Sequence, residues 1–425
     1  MHLKKRELPG MTMSLINFLF SFESFFVLWL FSYQYKNAFE IFTSPDITVL
    51  LTFILIPWGF FLYRKDKTRP NLRDPAVLVF LGLSLWFIAS SFWSPSHAYK
   101  LQKTLCYTLY TIPGFAMGSL IISKDPERIK RLIGAFFVFS MGVLAESYRV
   151  FLSNGLVTIS DILNTNYLVT GQTLGVGLLI LIPYSYLLFR SNKGLSIDFS
   201  STIWLWMLFL SSLFFYVLIN LGGRGPILAT VIALILFYGV KCWQDSLPKS
   251  AIHFGVWALL WTLSYFILNG LFDHTHSHFG QRIAPLLTGQ IDEAVNERFT
   301  YYQSAIQAFL HHPFIGVGFG GWPISHGLED ISLHPHNIFL EILCETGLIG
   351  FILFLSLLYS VFRNLKFHLI FSTPERTSIA LLTLFSFINA QKTGDLHDNL
   401  LLFFTLSLWI GLKKSNPYPS LAPVL

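Results

Sequence analysis

The chain has 425 residues, 53% hydrophobic and only 12% charged, with 43 Phe, 11 Trp and a formal net charge of +6. A soluble domain carries about 25% charged residues; these proportions, with a mean hydropathy of +0.57, exclude an aqueous globule and a disordered chain alike. They fit an all-α polytopic integral membrane protein whose aromatic rings serve lipid-facing surfaces and headgroup belts. No nucleic-acid partner is expected, because the basic excess has to be counted loop by loop in a membrane chain.

A helical span needs about 20 mostly apolar residues, and such runs recur along the whole sequence. They predict about twelve transmembrane helices, over 14–35, 45–63, 76–93, 104–122, 132–152, 168–189, 203–220, 226–243, 252–271, 337–360, 377–391 and 398–412, of which the last two are short. Lys4, Lys5 and Arg6 precede the first run as in a signal peptide, but the run is too long and no small-residue cleavage site follows, so it is kept as a span. With the N-terminus inside, most of the 29 Lys and Arg fall on the inner side. Only Lys36, Lys100, Lys103, Arg149, Arg224, Arg282, Arg298 and Lys392 fall outside or at outer helix ends. This asymmetry obeys the positive-inside rule and predicts both termini in the cytoplasm.

Cys106, Cys242 and Cys344 are far apart and lie in or beside apolar runs, which suits small buried hydrophobes better than a disulfide framework or a zinc site. The chain divides into helices 1 to 9 over 1–271, an outer loop over 272–336, and helices 10 to 12 with a short tail over 337–425. A loop of that length is usually functional or disordered. Within it, Asp292 to Leu310 puts Val295, Phe299, Tyr302, Ile306 and Phe309 at helical spacing, and Pro313 and Gly316 follow. This predicts an amphipathic helix on the membrane surface or over a cavity.

Of the 13 histidines, His274, His276, His278, His311, His312, His326, His334 and His336 lie in this loop. Imidazole takes up protons near neutral pH, so the cluster suggests acid/base work or metal ligation. The run His274-Thr275-His276-Ser277-His278 looks like a metal tract, but no carboxylate or thiolate stands at a convincing ligand spacing. The bland reading is a hydrated loop, and no metal is expected.

Gly222-Gly223-Arg224-Gly225-Pro226 joins two apolar runs on the outer side. An arginine at membrane depth faces a polar cavity or an anion, and flanking glycines let a phosphate approach the backbone; alternatively it snorkels to water. Arg282 and Arg298 add two outer guanidiniums, and three such forks would suit a diphosphate. Next, His334-Pro335-His336-Asn337 leads into a span carrying Glu341 and Glu345 at i,i+4, one of which could orient the histidine or the loop. Gly347 and Gly350 are expected to serve close helix packing. His336 would meet the membrane surface, or it could be a helix-start residue with no chemistry.

HPHNIFLEILCETGLIG, preceded by ERFTYYQSAIQAFLHHPFIGVGFGGW and by GGRGPILATVIALI, resembles the bacterial O-antigen ligase and O-antigen polymerase family of membrane glycosyltransferases. The motifs cover about 215–355, and the span count and long loop extend the similarity. The resemblance implies a GT-C-like fold and glycan transfer on the periplasmic face of the bacterial cell inner membrane. It also implies an undecaprenyl-diphosphate-linked donor and, for a ligase, a lipid A-core sugar hydroxyl as acceptor. The implied mechanism is inverting, with no metal and no cofactor: Arg224 and Arg298 hold the diphosphate, Arg282 is a less closely matched third cation, and His336 acts on the acceptor hydroxyl. Asn337, Glu341, Glu345 and His334 stand in support. Polymerases share these motifs but tend to carry two substantial outer loops, so the single dominant loop favours a ligase; a protein O-oligosaccharyltransferase would take Ser or Thr. The competing class is a transporter or lipid flippase with Glu23, Glu146 with Arg149, and Asp395 as coupling charges.

Overall fold

The computed structural model describes residues 15–36, 46–66, 72–154, 162, 165–191, 199–244, 247–271 and 293–413, and among these it is helical with no strand. Three short helices, α1 (Leu15–Leu19), α2 (Phe22–Leu30) and α3 (Ser32–Tyr35), stand where one first span is expected. Serine side chains divert the backbone at the first break. Ser21 Oγ accepts from the Ser24 amide at 3.2 Å as the N-cap of α2, while Ser24 Oγ donates to Phe18 O at 2.7 Å.

Next come α4 (Ile47–Lys65), α5 (Pro75–Ser90), and a stretch made of α6 (Ala98–Cys106), a π turn over Tyr107–Thr111 and α7 (Ile112–Leu120). Then follow α8 (Pro126–Asn154), α9 (Tyr167–Ser191), α10 (Phe199–Asn220), α11 (Arg224–Gln244) and α12 (Leu247–Leu271). The loop contributes α13 (Glu293–His311) and the single turn α14 (Trp322–Ser325). After it come α15 (Ile338–Phe362), α16 (Phe367–Ile370), α17 (Pro374–Asn389) and α18 (Leu400–Leu412).

Among the described residues nine helical segments are long and apolar enough to cross a membrane, and they coincide with the second to tenth expected spans. The chain is thus an all-α polytopic membrane protein. The last two expected spans are short helices of 16 and 13 residues. At about 1.5 Å rise per residue α18 reaches about 20 Å, less than the ~30 Å hydrocarbon core. It is apolar all round and buried from Leu402 to Ile410, so protein rather than lipid surrounds it.

The tenth span is broken. Gly347 has φ +66° and ψ −168° inside α15, and a turn of helical hydrogen bonds is lost there. Loop residues 313–318 restore them. Val317 N and Gly318 N donate to Cys344 O and Glu345 O, each at 2.8 Å, and Trp86 Nε1 donates to Thr346 O at 2.9 Å. On the other strand of this exchange, Leu348 N and Ile349 N donate to Pro313 O and Phe314 O at 2.8 and 3.3 Å. Backbone polar groups at membrane depth need such protein partners. A Cβ at Gly316 or Gly347 would collide with the facing backbone, which is why the segment reads F-I-G-V-G. Gly350 does serve close packing, against Thr346 and Trp86, whereas Gly347 serves the break.

Helix α13 forms where the amphipathic pattern predicts one, but its apolar stripe is turned from the protein: Phe299 is 58% and Ile306 46% exposed. The opposite, small-residue face is the one that packs. Ala305 and Ala308, with Tyr301, join Val317, Trp322, Leu340 and Cys344 in a separate apolar cluster. The loop is anchored at its other side by Asp330, whose carboxylate accepts from Ser96 Oγ at 2.5 Å and from the amides of His97 and Ala98 at 2.7 Å. These bonds hold the Asp330 carboxyl below its usual range.

Charges segregate to the two ends of the bundle. Lys65, Lys124 and Arg128 line one cavity, and Arg190 and Lys241 line another; all five are expected on the inner side. The loop docks at the end opposite Lys124, where α6 begins at Ala98.

Candidate functional site

His336 stands just before α15, and its backbone is strained: φ is +56°, the only positive value at a non-glycine among the described residues. That conformation costs roughly 1–2 kcal/mol for an L-residue and persists only where the surroundings enforce it. Asn337 does so from one side as the N-cap of α15, its Oδ1 accepting from the amides of Phe339 and Leu340 at 3.0 and 3.1 Å. From the other side the imidazole stacks on Tyr301 with centroids 6.1 Å apart and 29° between planes, and meets the His334 ring at 4.3 Å. Tyr301 Oη in turn donates to Glu297 Oε1 at 2.5 Å.

The ring of His336 is partly buried, and its Nδ1 has no hydrogen-bond partner among the described residues; the same holds for His334 Nε2. Burial first, and the Arg298 charge second, push the His336 pKa below the ordinary histidine value, against an opposing pull from Glu297. A neutral imidazole with an open nitrogen is what a general base needs. His334 is depressed in the same direction by burial and by the charges of His336 and Lys103.

Arg298 belongs to α13, one turn before Tyr301, and its charge is felt by Lys392 as well as by His336. Burial and Arg298 together lower the Lys392 pKa. Two cations and an imidazole therefore share one neighbourhood.

Arg224 opens α11 after the tight turn at Gly222, where φ is +67°. The residues beside Arg224 and His336 meet at the turn 389–393. On one side, the Ile338 amide donates to Ala390 O at 3.0 Å. On the other, the missing Cβ of Gly225 would lie 3.6 Å from Asn389 Oδ1 and 3.8 Å from Thr393 Cγ2. Gly225, next to Arg224, and Ile338, two residues after His336, thus meet one turn, which carries Lys392. Arg282 and the histidines His274, His276 and His278 lie outside the described residues. Among the described residues no group of three or more His, Cys, Asp or Glu is arranged to hold a metal ion.

Glu341 and Glu345 are buried one and two turns into α15, but neither touches His336. Both bind Lys103 Nζ at 2.7 Å, and Asp395 joins them at 2.9 Å. Sequence reasoning set Lys103 and Lys392 among the outer charges without a role and gave Tyr301 none. The charges that would drive a transporter are all paired: Glu23 with Arg128 and Arg131 at 2.8 and 2.9 Å, Glu146 with Arg149 at 2.6 Å, and Asp395 with Lys103.

Residues 206–355 match the family model described as O-antigen ligase, and this stretch contains Arg224, Arg298 and His336. Three proteins provisionally named polysaccharide ligases are also similar. One from Rickettsia conorii is 25% identical over 58% of this chain and 66% of its own length, and one from Rickettsia prowazekii 25% over 69% and 81%. A third, from Rickettsia typhi, is 26% identical over 50% and 58%. The chain thus spans just under two thirds of the first relative.

Proposed function

We propose that this protein is a membrane glycosyltransferase of the O-antigen ligase type, moving a glycan from a lipid diphosphate to a sugar hydroxyl. What supports the reading is that the neighbours of Arg224 and His336, Gly225 and Ile338, both meet the turn 389–393 that carries Lys392, that the Arg298 charge bears on His336 and Lys392, and that the family match spans Arg224, Arg298 and His336.

The chemistry follows from charge. As the anomeric C–O bond breaks, negative charge grows on the leaving diphosphate, and prepositioned guanidiniums stabilise it more in the transition state than before. Arg224 and Arg298 take that role, and Lys392 adds a compact third cation. His336, neutral at pH 7, removes the proton of the attacking hydroxyl as the new C–O bond forms. Displacement in one step inverts the anomeric centre. The rings of Tyr301 and His334 keep the imidazole aimed.

In this reading the donor is an undecaprenyl-diphosphate-linked glycan and the acceptor a lipid A-core sugar. The active face is periplasmic, in a bacterial cell inner membrane, with both termini cytoplasmic. Residues 1–271 and 337–425 form the membrane body, and 272–336 the outer loop. The acceptor is the discriminating variable. Purified protein in vesicles, given the lipid-linked glycan with lipid A-core, a second lipid-linked glycan or a Ser/Thr-bearing protein, should modify the lipid A-core. Modification of the lipid-linked glycan alone would make it a polymerase, and of the protein alone an oligosaccharyltransferase.

A further inference from the structure

The Lys103 ammonium is fully buried, and an uncompensated charge at such a place costs several kcal/mol. It has three N–H donors, and three carboxylates from two separate elements surround it: Glu341 and Glu345 of α15 at 2.7 Å and Asp395 of the 389–399 turn at 2.9 Å. Other contacts converge on the same point. Glu341 Oε1 also accepts from the Leu396 amide at 2.9 Å, Tyr99 Oη donates to Asp395 Oδ2, and the Phe319 ring of the glycine-rich loop segment lies 4.9 Å from Nζ. His397 approaches Asp395 at 3.2 Å; burial works against its charge, but Asp395 and Asp398 hold its pKa up at about 9.

We infer that Lys103 is a positioning residue: through Glu341, Glu345 and Asp395 it fixes the first turns of α15 and the 389–399 turn in one register, and with them His336 and Lys392. The inference rests on the functional reading for its link to transfer. Buried ion clusters are weak sources of net stability, and their better-attested use is to fix a register. Lys103 reaches neither His336 nor the turn's Lys392 by any direct bond. The path is short all the same: Glu341 N donates to Asn337 O at 2.9 Å, directly behind His336, and Ile338 N to Ala390 O, two residues before Lys392.

The test uses the full chain in lipid nanodiscs. In Lys103→Met, amide hydrogen exchange should rise about tenfold in segments 334–341 and 389–399 and stay unchanged in α9 and α10, as expected for local opening. The kcat for transfer should fall about 10- to 100-fold, the scale of a small misplacement of reacting groups, with KM for the donor lipid within about threefold. Asp395→Asn keeps Lys103 bound to both glutamates, so it provides a milder variant if Lys103→Met does not fold; there the rise should be confined to 389–399. Unchanged exchange in both segments of folded Lys103→Met, or in 389–399 of Asp395→Asn, overturns the inference. So does an equal loss of protection across α9 and α10, which would make Lys103 a general stabiliser. Exchange is read without turnover, so a wild-type protein inactive on lipid diphosphates would defeat the functional reading while leaving this test decisive.

Discussion

Tyr301 lies under His336, ring on ring, with centroids 6.1 Å apart. This stack joins α13, which carries Arg298, to the strained residue that precedes α15, and it explains why the small-residue face of α13 turns inward. Tyr301→Ala should lower kcat about 10- to 100-fold, the cost of a base no longer aimed. Tyr301→Phe keeps the stack and loses only the bond to Glu297, so it should stay within about threefold of wild type. Steady-state transfer rates of the two variants decide the point; equal loss in both would shift the role from the ring to the hydroxyl.

The pH profile carries a sign. His336 titrates below the ordinary histidine value because burial and Arg298 disfavour its charged form, while Glu297 favours it. As pH falls through that pKa the imidazole is protonated and can no longer accept, so kcat/KM should be flat near pH 7 and drop on the acid side. Glu297→Gln removes the one opposing influence, and the acid limb should move to lower pH. A limb displaced upward would show that another group controls it.

Arg224→Lys and Arg298→Lys keep a charge and lose the planar fork. If the guanidiniums grip phosphate oxygens in pairs, each change should cost about 10- to 100-fold in kcat/KM, or roughly 1.4–2.8 kcal/mol. Initial rates against donor concentration measure it. Activity equal to wild type would mean that positive charge alone suffices.

Gly347→Ala puts a side chain where φ is +66° and where a Cβ would collide with Phe314. The backbone strain alone is worth about 1–3 kcal/mol, and the collision adds to it. Thermal unfolding in detergent should show a clear drop in midpoint. Gly82→Ala, at a position with open space around it, should not move it. A wild-type midpoint for Gly347→Ala would contradict the broken-helix geometry.

Hydropathy alone located nine of the expected spans, because lipid asks only for length and apolarity. It could not foresee the break at Gly347: the apolar pattern runs straight through, and the replacement hydrogen bonds come from loop residues some thirty positions away in sequence. The amphipathic stripe of α13 was legible as a helix, but not which face would pack. Ala305 and Ala308 look bland beside Phe299 and Ile306 until Trp322 and Cys344 are set against them. His336 and Arg224 could be singled out by residue type and motif. Lys103 could not, since its role exists only once Glu341, 238 positions away, closes on it.

The most direct test of the account is transfer from a radiolabelled undecaprenyl-diphosphate glycan to lipid A-core by purified wild-type protein and His336→Ala in the same vesicles, with donor binding measured in parallel. The account predicts turnover by wild type, a loss of about a hundredfold or more in His336→Ala, the scale of removing a general base, and donor binding within about threefold in both. Wild-type-like transfer by His336→Ala would contradict it.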